Sequence, residues 1–145
     1  MSEYHTPVLL EESVSAMAIR DGGTYVDATF GGGGHSREIL SRMGKNSKLV
    51  VFDRDPDAIA NIPEDKRIIF VNNNFRFIQN HLNYLGISQA DSILADLGVS
   101  SHQFDTEERG FSFRFHSRLD MRMNPLTREG ADGIVANRSE DELDK

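Results

Sequence analysis

Apolar positions along the chain alternate between short unbroken runs and stretches with helical spacing. Four runs read as strands: Thr24–Thr29, Lys48–Asp53, Arg67–Asn72 and Ser92–Asp96. Between them, Ser36–Met43 places Ile39, Leu40 and Met43 at helical spacing, with Gly44 as its expected C-cap. A second helix is expected around Asp57–Asn61, with Pro56 at its start. A third spans Phe75–Leu85 and stops at Gly86. Ahead of the first strand, Pro7–Met17 reads as an amphipathic helix carrying Leu9, Leu10, Val14 and Met17 on one side. Short apolar strands separated by helices imply a parallel sheet covered on both faces. With right-handed crossovers, that is a doubly wound, Rossmann-like α/β fold.

The pattern changes after Asp96. Gly98–Met123 is polar and aromatic, with no convincing strand or long helix, and a loop of that length is usually functional or mobile. Glu129–Lys145 begins a helix-like segment. Four strands make a thin sheet for this architecture, and the fourth lacks its expected neighbour, so the sequence reads as cut short. An open sheet edge there is expected to be covered by self-association into a homodimer.

Composition narrows the function classes. The chain has 145 residues, 38% hydrophobic and 27% charged, as in an ordinary globular domain. Without cysteine, disulfides and thiolate metal sites are excluded. His5, His81, His102 and His116 show no metal-ligand spacing, and no metal site is expected. The first residues lack a signal-peptide pattern, and no run approaches membrane-spanning length, so a cytoplasmic protein is expected. The formal net charge of −7 argues against a global field for nucleic acid. Yet Arg109, Arg114, Arg118, Arg122 and Arg128 lie close together, while acid collects in Ser139–Lys145.

The richest stretch is Val26-Asp27-Ala28-Thr29-Phe30-Gly31-Gly32-Gly33-Gly34-His35, where a strand runs through an acid into four glycines. Such a loop lets a ligand meet bare backbone and aims helix N-terminal amides at it. A dinucleotide fingerprint needs a third glycine, and Ser36 or Arg37 stands there instead. Asp53 ends the second strand where a carboxylate accepts adenosine ribose hydroxyls, which suits NAD and S-adenosylmethionine equally. Asp27, close to where a pyrophosphate would lie, disfavours phosphates and favours a cationic sulfonium and amine. Asp96 adds a third acid on the same rim. S-adenosylmethionine is therefore favoured, and a nicotinamide-dinucleotide-binding oxidoreductase domain is the alternative.

Several segments together resemble the bacterial 16S ribosomal RNA (cytosine-N4)-methyltransferases of the MraW type. They are His5–Glu12, Asp27–Ser36, Phe52–Pro56, Asp96–Ser101 with Gln103, Glu108–Phe113 and Leu119–Met123. Departures fall outside the glycine loop: His102 replaces a usual proline, Arg114–Arg118 lacks an Asp-Gly-Pro turn, and Asn124 replaces an Asp.

The resemblance implies a class I S-adenosylmethionine-dependent methyltransferase fold, with cofactor contacts at Gly33, Gly34, His35, Asp53, Phe75, Asp96 and Gln103. It also implies a small-subunit ribosomal RNA substrate within the 30S particle. On it, residues 1–128 are the N-terminal part of the methyltransferase domain and 129–145 start a helical RNA-recognition insertion. Family members are about twice as long, so a cofactor-binding fragment is expected, with a non-catalytic, self-associating fragment as the other outcome. Asp96 is the candidate catalytic residue, the amine that attacks the methyl group being held by its side chain or by a backbone carbonyl in Asp96–Ser100. Arg109, Arg122 and the Phe111/Phe113 pair are placed to contact RNA; the alternatives are that the aromatics anchor the long loop to the domain and that Asp120 and Arg122 pair internally.

Overall fold

The computed structural model describes residues 7–144. His5 and Thr6, which open the His5–Glu12 motif, and Lys145 lie outside the described residues. Contacts divide the chain into two compact units, Met1–Leu97 and Gly98–Lys145.

The first unit is a four-stranded parallel sheet in the order β3-β2-β1-β4. Its strands are β1 (Thr24–Asp27), β2 (Lys48–Asp53), β3 (Ile68–Asn72) and β4 (Ser92–Leu94). β1 and β2 are apolar enough to be buried almost throughout, as a sheet covered on both faces requires. Alternation along the strands sends side chains to opposite faces. Tyr25, Leu49, Val51 and Leu94 join Val14 of α1 (Leu10–Ala16) and Met17 at its C-cap, and Ile39 and Leu40 of α2 (Gly34–Arg42) and Met43 at its C-cap. Val26, Val50 and Phe52 instead meet Ile78 and Leu82 of α3 (Ile78–Tyr84), with Leu85 and Ile87 beyond it.

This division makes the unit doubly wound. The connections from β1 to β2 and β2 to β3 lie on one face, and the β3–β4 connection, carrying α3, lies on the other. The strand order therefore reverses between β1 and β4, where open parallel sheets of this kind form a crevice at their C-terminal ends.

Several element boundaries differ from the sequence reading. The expected Asp57–Asn61 helix is a 3₁₀ helix, Pro56–Asn61, because Ile62 precedes Pro63 and is pushed out of helical backbone. Phe75–Leu85 splits into a tight turn, Phe75–Phe77, capped by the Asn74 side chain, followed by α3. Gly86 closes α3 in the left-handed conformation, as expected of a C-terminal glycine. Gly44 is not such a cap: the chain leaves α2 at Met43 in extended backbone. Its lack of a side chain matters because the Asp21 carboxylate occupies the place a Cβ would take. Leu9 does not join the apolar side of α1. It is largely exposed at the N-cap, in the left-handed region.

The second unit contains α4 (Ser101–Asp105), a 3₁₀ turn at Glu107–Arg109, α5 (Ala131–Asn137) and α6 (Glu140–Leu143). The expected Glu129–Lys145 helix is thus two short helices. Ser139 breaks it by capping α6, its hydroxyl and backbone both held by Glu142. Among the described residues, no helix is long and apolar enough to cross a membrane.

Candidate functional site

The glycine loop leaves β1 at its C-terminal end and enters α2. Gly31 and Gly33 have φ of 51° and 76°, backbone that other residues enter only with strain. Gly33 is the N-cap of α2, and a Cβ there would lie 2.9 Å from the Phe30 ring. Gly34 is needed because Pro7 packs directly against it. Gly31 is different: a Cβ there would meet nothing nearer than the Thr29 carbonyl at 4.0 Å, so the space above it is open.

The loop is held from below and behind. Phe30 N–H donates to the Phe52 carbonyl of β2 (2.9 Å), and Gly33 N–H to the Phe30 carbonyl (2.7 Å). Arg37 Nη1 donates to the Gly32 carbonyl (2.6 Å) and Asn61 Nδ2 to the Gly31 carbonyl (3.2 Å). Those bonds hold the loop carbonyls from within the chain.

Asp27 corrects the electrostatic argument drawn from the sequence. Its side chain is fully buried: Oδ2 accepts from Ser36 Oγ (2.6 Å) and Oδ1 from Thr29 N–H (3.0 Å). Burial pushes its pKa up, partly offset by the Ser36 and Thr29 hydrogen bonds. It is a brace between β1, the loop and α2, not a surface that meets a cation. Ser36, which removed the dinucleotide fingerprint, is the other half of that brace.

Asp53 and Asp96 lie on the rim formed by the C-terminal ends of the strands. Asp53 ends β2, accepting Gly31 N–H at Oδ2 (2.7 Å) and Asp55 N–H at Oδ1 (2.8 Å), and stays partly exposed. Each carboxylate oxygen retains a free lone pair for a ribose hydroxyl. Phe75 follows β3 and is 39% exposed, outside both apolar clusters, so it is not a core residue. Asp96 lies two residues beyond β4. Its backbone N–H donates to Thr29 Oγ1 (2.7 Å), and its side chain is about half exposed. His35, in the first turn of α2, is buried with Nδ1 4.0 Å from Asp96 Oδ2. Because β1 sits between β2 and β4, the rim runs Phe75, Asp53, glycine loop, Asp96.

Gln103 belongs to the second unit, where it is buried in α4. Ser100 N–H donates to its Oε1 (3.1 Å) and its own N–H to Ser100 Oγ (3.2 Å), a reciprocal cap. In the same unit Arg122 pairs in two-pronged fashion with Asp120, Nη2–Oδ2 2.6 Å and Nε–Oδ1 2.8 Å. That pair holds Asp120 below the usual carboxylate range. Arg109 is buried and donates to the Arg122 carbonyl (3.0 Å). Both guanidiniums are committed inside the segment, which favours anchoring over RNA contact for them. Phe111 is half-buried and fits anchoring too, whereas Phe113 is fully exposed.

A nucleoside ligand at the rim would find a ribose acceptor, open backbone and an aromatic face. A sequence model of the MraW methylase family matches residues 2–145. The chain belongs to that family. Among its relatives, the ribosomal RNA small subunit methyltransferase H of Bacteroides thetaiotaomicron is 59% identical over 97% of this chain. Proteins of the same name from Phocaeicola vulgatus and Flavobacterium johnsoniae are 57% and 55% identical, again over 97%. The chain spans about half of each, 46%, 46% and 47% of their lengths. A structure solved as a candidate rRNA-methylase from Clostridium thermocellum is a looser match. It is 22% identical, with a TM-score of 0.46, over 56% of this chain and 49% of that one.

Within this MraW-family chain, the sequence reading missed the residues that shape the rim without facing a ligand. Thr29 fixes Asp96, and Asn61 and Arg37 hold the loop carbonyls. A threonine two residues beyond Asp27 was a local signal for the first. Asn61, thirty residues from its partner, offered none.

Proposed function

We propose that this chain is the cofactor-binding part of an S-adenosylmethionine-dependent methyltransferase acting on the N4 amine of a cytosine in 16S ribosomal RNA. The observation that carries the reading is the rim: Asp53 and Asp96 are open on either side of a glycine loop in a chain of the MraW family. Asp53 accepts the ribose hydroxyls and Phe75 packs on the adenine. Gly33, Gly34 and His35 bring backbone against the amino-acid end. When bound, S-adenosylmethionine supplies a methyl group on a sulfonium, already an excellent leaving group.

The protein's task is then placement. Asp96 accepts a hydrogen bond from the cytosine amine, aiming the nitrogen lone pair at the methyl carbon, and takes up the proton the amine must lose. Residues 129–145 begin an RNA-recognition segment, and the substrate is presented on the cytoplasmic 30S subunit. The outer edge of β4, with Ile93 half exposed, is the surface through which isolated chains would pair.

Methyl transfer from labelled S-adenosylmethionine to small ribosomal subunits tests the reading in the full-length protein. Asp96→Ala should lower kcat by about 100-fold, with the KM for cofactor changed only a few-fold. Normal turnover by that variant at saturating cofactor would overturn Asp96 as the amine acceptor.

A further inference from the structure

The His35 side chain is only 7% exposed, and its Nε2 is buried without a hydrogen-bond partner. Nδ1 faces Asp96 Oδ2 at 4.0 Å, longer than a hydrogen bond, a gap that rotation of the half-exposed carboxylate can shorten. Two carboxylates act on the ring: Asp27 from the end of β1 and Asp96 from beyond β4. An imidazolium would bury an Nε2–H donor with no acceptor, a costly arrangement. A neutral ring protonated at Nε2 has the same orphan donor and turns a lone pair toward the Asp96 carboxylate. The neutral ring protonated at Nδ1 avoids both, leaving only an unmet lone pair inside and pointing N–H at Asp96.

We propose that His35 is a positioning residue whose neutral Nδ1–H orients the Asp96 carboxylate toward the acceptor amine. The inference rests on Asp96 holding that amine, as proposed above. Asp96 is tethered by its backbone to Thr29 Oγ1 (2.7 Å), but its exposed carboxylate can still rotate. A donor on Oδ2 stops that rotation and leaves Oδ1 to accept from the amine. His35 thus acts through Asp96 and does not itself touch the reacting atoms.

Nitrogen NMR of the full-length protein with ¹⁵N-labelled histidine reads the ring directly. The expected result is the neutral Nδ1–H tautomer at His35, with its shifts altered by Asp96→Asn. An imidazolium, or a proton on Nε2, would overturn the proposal.

Kinetics supply a second arm. His35→Asn keeps an amide N–H near the Nδ1 position, His35→Gln moves it toward Nε2, and His35→Ala removes it. Losing one orienting hydrogen bond should lower kcat about tenfold in the Ala and Gln variants. Circular dichroism reports that the variants fold, S-adenosylhomocysteine affinity should fall by a smaller factor than kcat, and Asn should recover most of the rate. Equal rates in all three variants, or a loss confined to affinity, would contradict it. If the wild-type protein neither binds S-adenosylhomocysteine nor transfers methyl, the proposed function fails, while the tautomer result is still read independently.

Discussion

Asp27 carries a carboxylate with no exposure, held by one hydroxyl and one backbone N–H. Its folded pKa lies above the ordinary value of about 3.9. The folded state therefore binds more protons than the unfolded chain over a window starting near that value, and stability falls as pH rises through it. Asp27→Asn removes the titration. Apart from a constant offset, urea unfolding should show the variant gaining on wild type as pH rises from about 4. Asp27→Ala should instead lose about 1–3 kcal/mol per orphaned partner, Ser36 Oγ and Thr29 N–H. Asp65 has the opposite sign. Arg67 pulls its pKa down to about 2, so its contribution is present above the ordinary value and fades as pH falls toward 2. Asp65→Asn should flatten that part of the acid limb. At this scale the sequence showed which residues cluster but not which way they face. Asp27, Asp53 and Asp96 looked alike as acids on one rim, and only burial separates the internal brace from the two open groups.

Among the elements, the glycine loop is the most sharply specified. Gly33 combines left-handed backbone with a Phe30 ring 2.9 Å from any added Cβ. Gly33→Ala should cost about 1–2 kcal/mol from backbone strain alone, and more from the displaced ring. The same change at Gly31 carries the same backbone strain but meets open space, so beyond that strain its effect should fall on ligand affinity and not on packing. Thermal unfolding and S-adenosylhomocysteine titration of the two variants separate these outcomes. The four strands and the order of helices were legible because apolar runs and Gly or Pro punctuation are local signals. The lost details were those set by distant contacts. Gly44 resembled a cap because it ends an apolar period, while its reason is Asp21, more than twenty residues away. The break at Ser139 was carried by a readable Ser-x-x-Glu cap inside a stretch taken as one helix.

For the whole molecule, the sheet order places a crevice between β1 and β4, and the residues expected at it from sequence come from four different strand ends or loops. That convergence is a property of topology, legible from the strand–helix alternation together with the handedness of crossovers. Gln103 is the exception, since it lies in the second unit, where its visible role is to cap α4. The central claim is that the rim binds an adenosyl cofactor through Asp53. Calorimetric titration of the full-length protein with S-adenosylhomocysteine, in wild type and Asp53→Ala, tests it most directly. The expected result is saturable one-to-one binding, weakened at least about tenfold by the loss of hydrogen bonds to a charged acceptor, with no binding of NADH. Equal affinity in the Asp53→Ala protein, or tight binding of NADH in its place, would contradict the account.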